Sequence, residues 1–237
     1  RATVLPRRRR QFGYDSTDSG RNRAALASPG RAHVTGARRV RFTDPRTVEV
    51  AREPVPSPDD GEVLVETSTS AVSPGTELLV YRDEVPDDTS LDETIDALNE
   101  PFAYPLSYGY AAVGVVAAVG DAVDPSWAGR RVFAFHPHAS HFCADPASLV
   151  PLPDALSDED AAMLATMETA TGLVMDGRPR VGERAAVFGQ GVVGLVTTAL
   201  LSRFPLSELV TVDCHAPRRE RSRPLGADAS FAPEEVP

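Results

Sequence analysis

Six residues carry the clearest chemistry in the chain. Gly189-Gln190-Gly191-Val192-Val193-Gly194 spells G-x-G-x-x-G, and Asp213 stands 19 residues beyond Gly194. The pattern follows an apolar strand-like run, opens an apolar helical run, and Asp213 closes a second strand-like run, which is the context a dinucleotide-binding turn requires. Gly189 suits the tight turn, Gly191 lets backbone approach a pyrophosphate, and Gly194 lets helix and strand pack closely. The N–H groups around Val192 and Val193 then open the helix toward an anion, where the helix dipole favours negative charge. Asp213 is placed to accept hydrogen bonds from the adenosine ribose hydroxyls and to repel a 2′-phosphate, so the expected cofactor is NAD in preference to NADP. Arg218 and Arg219 lie near enough to weaken that preference.

A second cluster, His136-Pro137-His138-Ala139-Ser140-His141-Phe142-Cys143, offers three imidazoles and a thiol within eight residues. On an extended strand His141 and Cys143 share one face, and His136 and His138 another. A turn would bring the pairs together around a metal. The competing reading is of histidines that line a cleft or bond to backbone, with Pro137 stiffening the segment. The expected metal is none.

These residues need a scaffold, and its texture changes along the chain. Val48-Glu49-Val50 and Glu62-Val63-Leu64-Val65-Glu66 alternate apolar with polar as half-buried strands do. Tyr110 to Val119, broken by Gly114, and Arg131 to Phe135 add further short strands, and turn-rich connections such as Glu53 to Gly61 separate them. Such spacing predicts a small antiparallel barrel. A short acidic helix is expected at Ser90 to Asn99, with a Ser90…Glu93 capping box. After Pro153 the period becomes helical. Ser157 caps a helix whose first turn holds Asp158, Glu159 and Asp160 and which runs to about Met175. Strand Arg184 to Phe188, helix Val192 to Arg203, strand Glu208 to Val212, helix Arg218 to Leu225 and strand Ala229 to Phe231 then give the βαβαβ alternation of a parallel sheet.

Composition limits the partners. At 237 residues with 42% apolar content the chain can bury a core. The longest apolar stretch, Ala111 to Val119, falls short of the roughly 20 residues a membrane span needs. Two cysteines make neither a disulfide framework nor a four-cysteine zinc site; they suit a reducing cytoplasm, the expected location. All 24 basic residues are arginine. Residues 1–41 hold 11 arginines against Asp15 and Asp18, whereas the remainder holds 13 against 32 acids. The acid-rich part argues against nucleic acid as its main partner and fits a salt-tolerant cytoplasm. Residues 1–38 lack apolar periodicity and read as a disordered arginine-rich tail, with a nucleic-acid-binding arm as the rival reading.

In its ordered layout the chain resembles the medium-chain dehydrogenase/reductase superfamily, the zinc-type alcohol dehydrogenases. The anchors are Ala71-Val72-Ser73-Pro74-Gly75-Thr76-Glu77, Gly109-Tyr110-Ala111-Ala112-Val113-Gly114, Gly120-Asp121-Ala122-Val123, Gly129-Arg130-Arg131-Val132 and the glycine loop. The resemblance implies a GroES-like antiparallel barrel over residues 39–151, followed by a partial Rossmann domain over 152–237. It implies hydride transfer between a nicotinamide and an alcohol or carbonyl substrate, and a small-molecule partner. Family members with catalytic zinc carry a cysteine where this chain has Pro74 and a histidine where it has Tyr110; the third ligand position falls near Glu168. Three or four N, S or O donors are needed to hold zinc, so a zinc-independent reaction is expected. The resemblance then makes Thr76 the first candidate for proton donor or orienter, Tyr110 the second, and Glu168 an acid. Only 46 residues follow Gly191, enough for the rest of one βαβαβ half. The chain therefore reads as a C-terminally truncated member lacking the family's usual dimer edge, with an inactive nucleotide-binding remnant as the alternative.

Overall fold

Hydrophobic alternation in the first half of the chain folds as antiparallel β-structure. The computed structural model describes residues 36–85 and 102–236. Residues 1–35 of the expected 1–38 tail and the expected helix at Ser90 to Asn99 lie outside the described residues, whereas Ala37 and Arg38, expected in that tail, begin a strand. Strands β1 (Ala37–Asp44) and β2 (Thr47–Glu53) form an antiparallel pair. The larger sheet has the order β6-β3-β4-β5-β7, antiparallel throughout, built from β3 (Val63–Ser70), β4 (Ala112–Val119), β5 (Arg131–Ala134), β6 (His141–Ala144) and β7 (Leu149–Pro151). Val63 and Val65 of β3 are fully enclosed and pack with Val116, Val132 and Phe142, as period-two alternation requires. Isolated bridges Arg39↔Ala139 and Phe42↔Leu106 tie β1 to the loops of the larger sheet.

Two features of this half differ from the sequence expectation. The segment after Pro74 forms a short helix, α1 (Thr76–Arg82), closed by Asp83 in a left-handed conformation. Strand β4 runs through Gly114 without interruption.

The helix expected from Ser157 to Met175 is two helices, α2 (Asp158–Ala161) and α3 (Leu164–Gly177). The cap itself holds, because Ser157 Oγ accepts the Asp160 N–H over 3.1 Å. The short N-terminal piece, α2, is tied down on its own. Asp158 is fixed to the sheet by Arg131 Nε at 3.1 Å and by the Ser68 hydroxyl at 2.6 Å. Ala161, Ala162 and Ala165 pack on Val113 and Phe133, whereas Val174 near the end of α3 packs with Leu201 and Leu209. Ala165 already belongs to α3, so the break falls just before it, between Ala161 and Leu164.

The second half is a three-stranded parallel sheet of order β10-β9-β8. Strands β8 (Arg184–Phe188), β9 (Glu208–Val212) and β10 (Ala229–Phe231) coincide with the runs read from sequence. Between them lie α4 (Val192–Leu201) and α5 (Ala216–Ser222), the latter starting two residues earlier and ending three earlier than expected. Pro217 near its start explains the early entry, since proline fits the first helical turn. Both outer strands are edges of this sheet among the described residues: β10, as expected, and also β8. No helix among the described residues is long and apolar enough to cross a membrane.

Candidate functional site

The glycine loop connects β8 to α4, and its backbone is shaped by what a side chain would strike. Gly189 has φ +84°, and a Cβ on Gly194 would lie 1.8 Å from the Gly189 carbonyl oxygen. A Cβ on Gly191 meets nothing within 4 Å, so the loop presents open space at the N-terminus of α4. Gln190 is turned inward and fully buried. Its amide donates to the Val187 and Gly189 carbonyls at 3.2 and 3.1 Å and accepts the Thr198 hydroxyl at 3.2 Å. The G-x-G-x-x-G pattern gives the Gln190 position no signal of this role.

Asp213, 6% exposed, ends β9 beside this loop. Oδ2 accepts the Gln190 N–H at 2.6 Å and Oδ1 the His215 N–H at 2.7 Å. Burial, the largest influence, would raise its carboxyl. The N–H donors of His215 and Gln190 and the nearby Arg218 outweigh it and hold the group below its ordinary value. Each carboxylate oxygen thus accepts one backbone N–H. Arg218 Nη1 approaches Oδ2 at 3.8 Å, and Arg219 donates to the Asp213 carbonyl at 2.7 Å. A cavity of about 420 Å³ opens here, lined among others by Phe188, Gly189, Asp213, His215, Arg218 and Val236. Open space at Gly191, an anchored acceptor and this cavity fit a dinucleotide.

Thr76 begins α1, and Tyr110 stands just before β4. Their hydroxyls lie 3.3 Å apart, so two candidates 34 residues apart in sequence form one hydrogen-bonded pair. Glu168 is exposed on α3, and among the described residues no hydrogen bond joins it to either hydroxyl. The residue beside Thr76, Glu77, is buried against His138 with Nε2···Oε2 at 2.9 Å. Sequence reasoning gave Glu77 no role; a carboxylate inside the Ser73–Glu77 segment was the only signal for it.

The three histidines go separate ways. His136 stacks on Phe142 at 3.9 Å between centroids and donates Nδ1–H to the Pro137 carbonyl. His138 faces Ser70 and Glu77, and His141 faces Ser140. Among the described residues no three His, Cys, Asp or Glu side chains come together as a metal site. Both Cys143 and Cys214 are free thiols.

An antiparallel sheet followed by half of a doubly wound nucleotide-binding sheet defines the class of fold. No protein-family model matches the chain. An alcohol dehydrogenase of Cupriavidus necator is 24% identical over 237 residues, covering 79% of this chain and 60% of that protein. The solved structure of the short chain alcohol dehydrogenase RspB of Escherichia coli, complexed with NADH, superposes with a TM-score of 0.71 at 19% identity, covering 86% of this chain and 64% of that one. The 2R,3R-butanediol dehydrogenase of Bacillus subtilis gives a TM-score of 0.71 at 22% identity, covering 84% and 64%. The chain shares the fold of these dehydrogenases, and its sequence is similar to theirs along most of its length. It spans about 60% of the length of the curated relative it matches.

Proposed function

We propose that the chain belongs to an oxidoreductase that moves a hydride between a nicotinamide nucleotide and a small alcohol or carbonyl substrate, without catalytic zinc and with NAD preferred. In this reading residues 39–151 carry the substrate chemistry and residues 152–237 the nucleotide. The observation that carries it is the loop geometry, with open space at Gly191 beside the anchored Asp213 carboxylate. The relatives' names support the alcohol and carbonyl class, and the RspB complex supports a nicotinamide cofactor.

When bound, the nicotinamide supplies or accepts the hydride. The chain's own residues do the rest. Loop N–H groups at the start of α4 would hold the phosphates, and Asp213 would accept from the ribose hydroxyls. The Thr76–Tyr110 pair holds the proton that an alkoxide needs as it forms; a positioned hydroxyl can stabilise such a developing charge. The donor set does not fit zinc, because Pro74 and Tyr110 stand where the resemblance would put ligands, and no step is routed through a metal. The partner is a small molecule, neither a membrane nor nucleic acid, and the acidic composition suits a cytoplasm rich in salt.

The test is an NADH titration followed by fluorescence in molar KCl, repeated with NADPH. Micromolar NADH binding that is lost in Asp213→Ala, with weaker NADPH binding, is the expected result. A folded chain that binds neither nucleotide overturns the reading. Absorbance at 340 nm with butanediols, sugar alcohols, their carbonyl forms and quinones then separates an enzyme from a binding remnant.

A further inference from the structure

The hydroxyl pair is attached at both ends to a single buried contact. His138 is 5% exposed and Glu77 4%. An ionisable pair buried this deeply is tolerated only when its polar atoms are satisfied, and here they are. His138 Nε2 faces Glu77 Oε2 at 2.9 Å, and Nδ1 faces the Ser70 hydroxyl at 3.0 Å. The other Glu77 oxygen accepts the Ser73 N–H at 2.8 Å, while the Glu77 N–H donates to the Ser73 carbonyl at 3.1 Å. The carboxylate thus closes the turn that leads into α1. His138 is fixed through its main chain as well: its N–H donates to Tyr108 at 3.2 Å, and its carbonyl accepts the Val40 N–H at 2.9 Å.

The Nε2 end of the imidazole also lies against Gly109. A Cβ at Gly109, whose φ is +119°, would lie 2.6 Å from His138 Nε2, so only glycine leaves room for the ring. Thr76 precedes Glu77 by one residue, and Tyr110 follows Gly109 by one. Chain connectivity and contacts therefore make a closed circuit: Thr76, Glu77, His138, Gly109, Tyr110, and back to Thr76 across the 3.3 Å hydroxyl contact.

We propose that His138 and Glu77 are positioning residues that set the separation of the Thr76 and Tyr110 hydroxyls, with the imidazole as spacer between the α1 turn and the Gly109–Tyr110 strand entry. The proposal rests on the assignment of the hydroxyl pair to proton transfer, and it specifies which imidazole nitrogen matters. The contact to Glu77 through Nε2 is in the circuit. The contact to Ser70 through Nδ1 is outside it.

Glutamine reaches with its amide N–H to about the place of Nε2, and asparagine only to that of Nδ1. His138→Gln therefore keeps the donor to Glu77, and His138→Asn keeps only the Ser70 side. The experiment is ¹⁹F NMR of the full chain labelled with 3-fluorotyrosine, with Tyr110 assigned by Tyr110→Phe and the broken pair calibrated by Thr76→Val. In His138→Asn the Tyr110 resonance is expected to move at least halfway to its Thr76→Val position; in His138→Gln it stays nearer the wild-type position. A folded His138→Asn chain with an unmoved Tyr110 resonance overturns the proposal, as does an equal displacement in both variants. If His138→Asn does not fold, Glu77→Ala, which removes the carboxylate contact outright, is read by the same displacement, and an unmoved resonance there overturns it equally. With 2,3-butanedione and NADH as probe, His138→Asn should lower kcat at least tenfold with KM within threefold, and His138→Gln should recover most of it. A wild-type chain inert toward this probe and the wider panel counts against the hydride-transfer reading alone, because the NMR displacement judges the positioning without turnover.

Discussion

The Gln190 backbone N–H donates to the Asp213 carboxylate over 2.6 Å, which makes the glycine loop and the end of β9 one hydrogen-bonded unit. Asp213 therefore holds the loop in shape before any ligand arrives. Its proposed contact with ribose is added to that structural duty.

Replacing Asp213 with alanine leaves the Gln190 and His215 N–H groups without their acceptor. An unsatisfied buried donor costs about 1–3 kcal/mol, so urea unfolding of Asp213→Ala should show a loss of that order along with the loss of NADH binding. The acid side has a definite sign. The folded carboxyl lies below its ordinary value of 3.8, so its stabilising contribution is complete above that value and disappears as pH falls through the lower folded one. The stability difference between wild type and Asp213→Asn should shrink over that interval, as urea midpoints between pH 5 and 2 would record.

Gly194→Ala tests the closeness of α4 to the loop. The added methyl would lie 1.8 Å from the Gly189 carbonyl oxygen, and backbone must shift to admit it. Overpacking of this kind costs about 1–3 kcal/mol. NADH affinity should fall at least tenfold while the β-rich half keeps its amide exchange protection. Gly191→Ala has room for its methyl in the free chain and should reduce affinity with little loss of stability, so the pair separates packing from ligand approach.

His136 is held down to about 4 from its ordinary value of 6.5, chiefly by burial, with Arg39 and His138 acting in the same direction. Between those values the unfolded chain takes up a proton that the folded chain refuses. Stability from this group therefore falls as pH drops from 6.5 toward 4, and levels off below. His136→Phe keeps a ring against Phe142 and removes the titration. Thermal midpoints across this interval should depend less on pH in that variant than in wild type.

Arg131 joins β5 to the turn before α2, donating to Asp158 and to the carbonyls of Pro153 and Leu156. The ionic pair is about one quarter exposed on each side, so solvent screens part of its strength. The Ser68 hydroxyl and Arg131 together hold the Asp158 carboxyl below its usual value. Hydrogen bonds to charged groups contribute about 1.5–3 kcal/mol; Arg131→Ala should lose roughly that much at neutral pH in urea unfolding. The deficit should narrow in acid, as Asp158 becomes protonated in wild type.

Local sequence determined the parallel-sheet half closely. Strands β8, β9 and β10 match their apolar runs residue for residue. The glycine loop specifies its own turn, because the positive φ at Gly189 favours glycine and the close backbone approach at Gly194 leaves no room for a side chain. The β-alternation of β3 and the Ser157 cap were legible for the same reason: each depends on neighbours a few residues away. The break between α2 and α3 was not, and neither was the tie of Asp158 to Arg131 and Ser68 across the sheet. Thr76 and Tyr110 were legible singly, through resemblance, but their contact was not. Nor was the pairing of Glu77 with His138, 61 residues apart. Periodicity and motif spacing report the preferences of short segments. Which buried polar groups satisfy one another is decided only when distant segments are packed together, and there desolvation penalises arrangements that leave a charge or donor unmet.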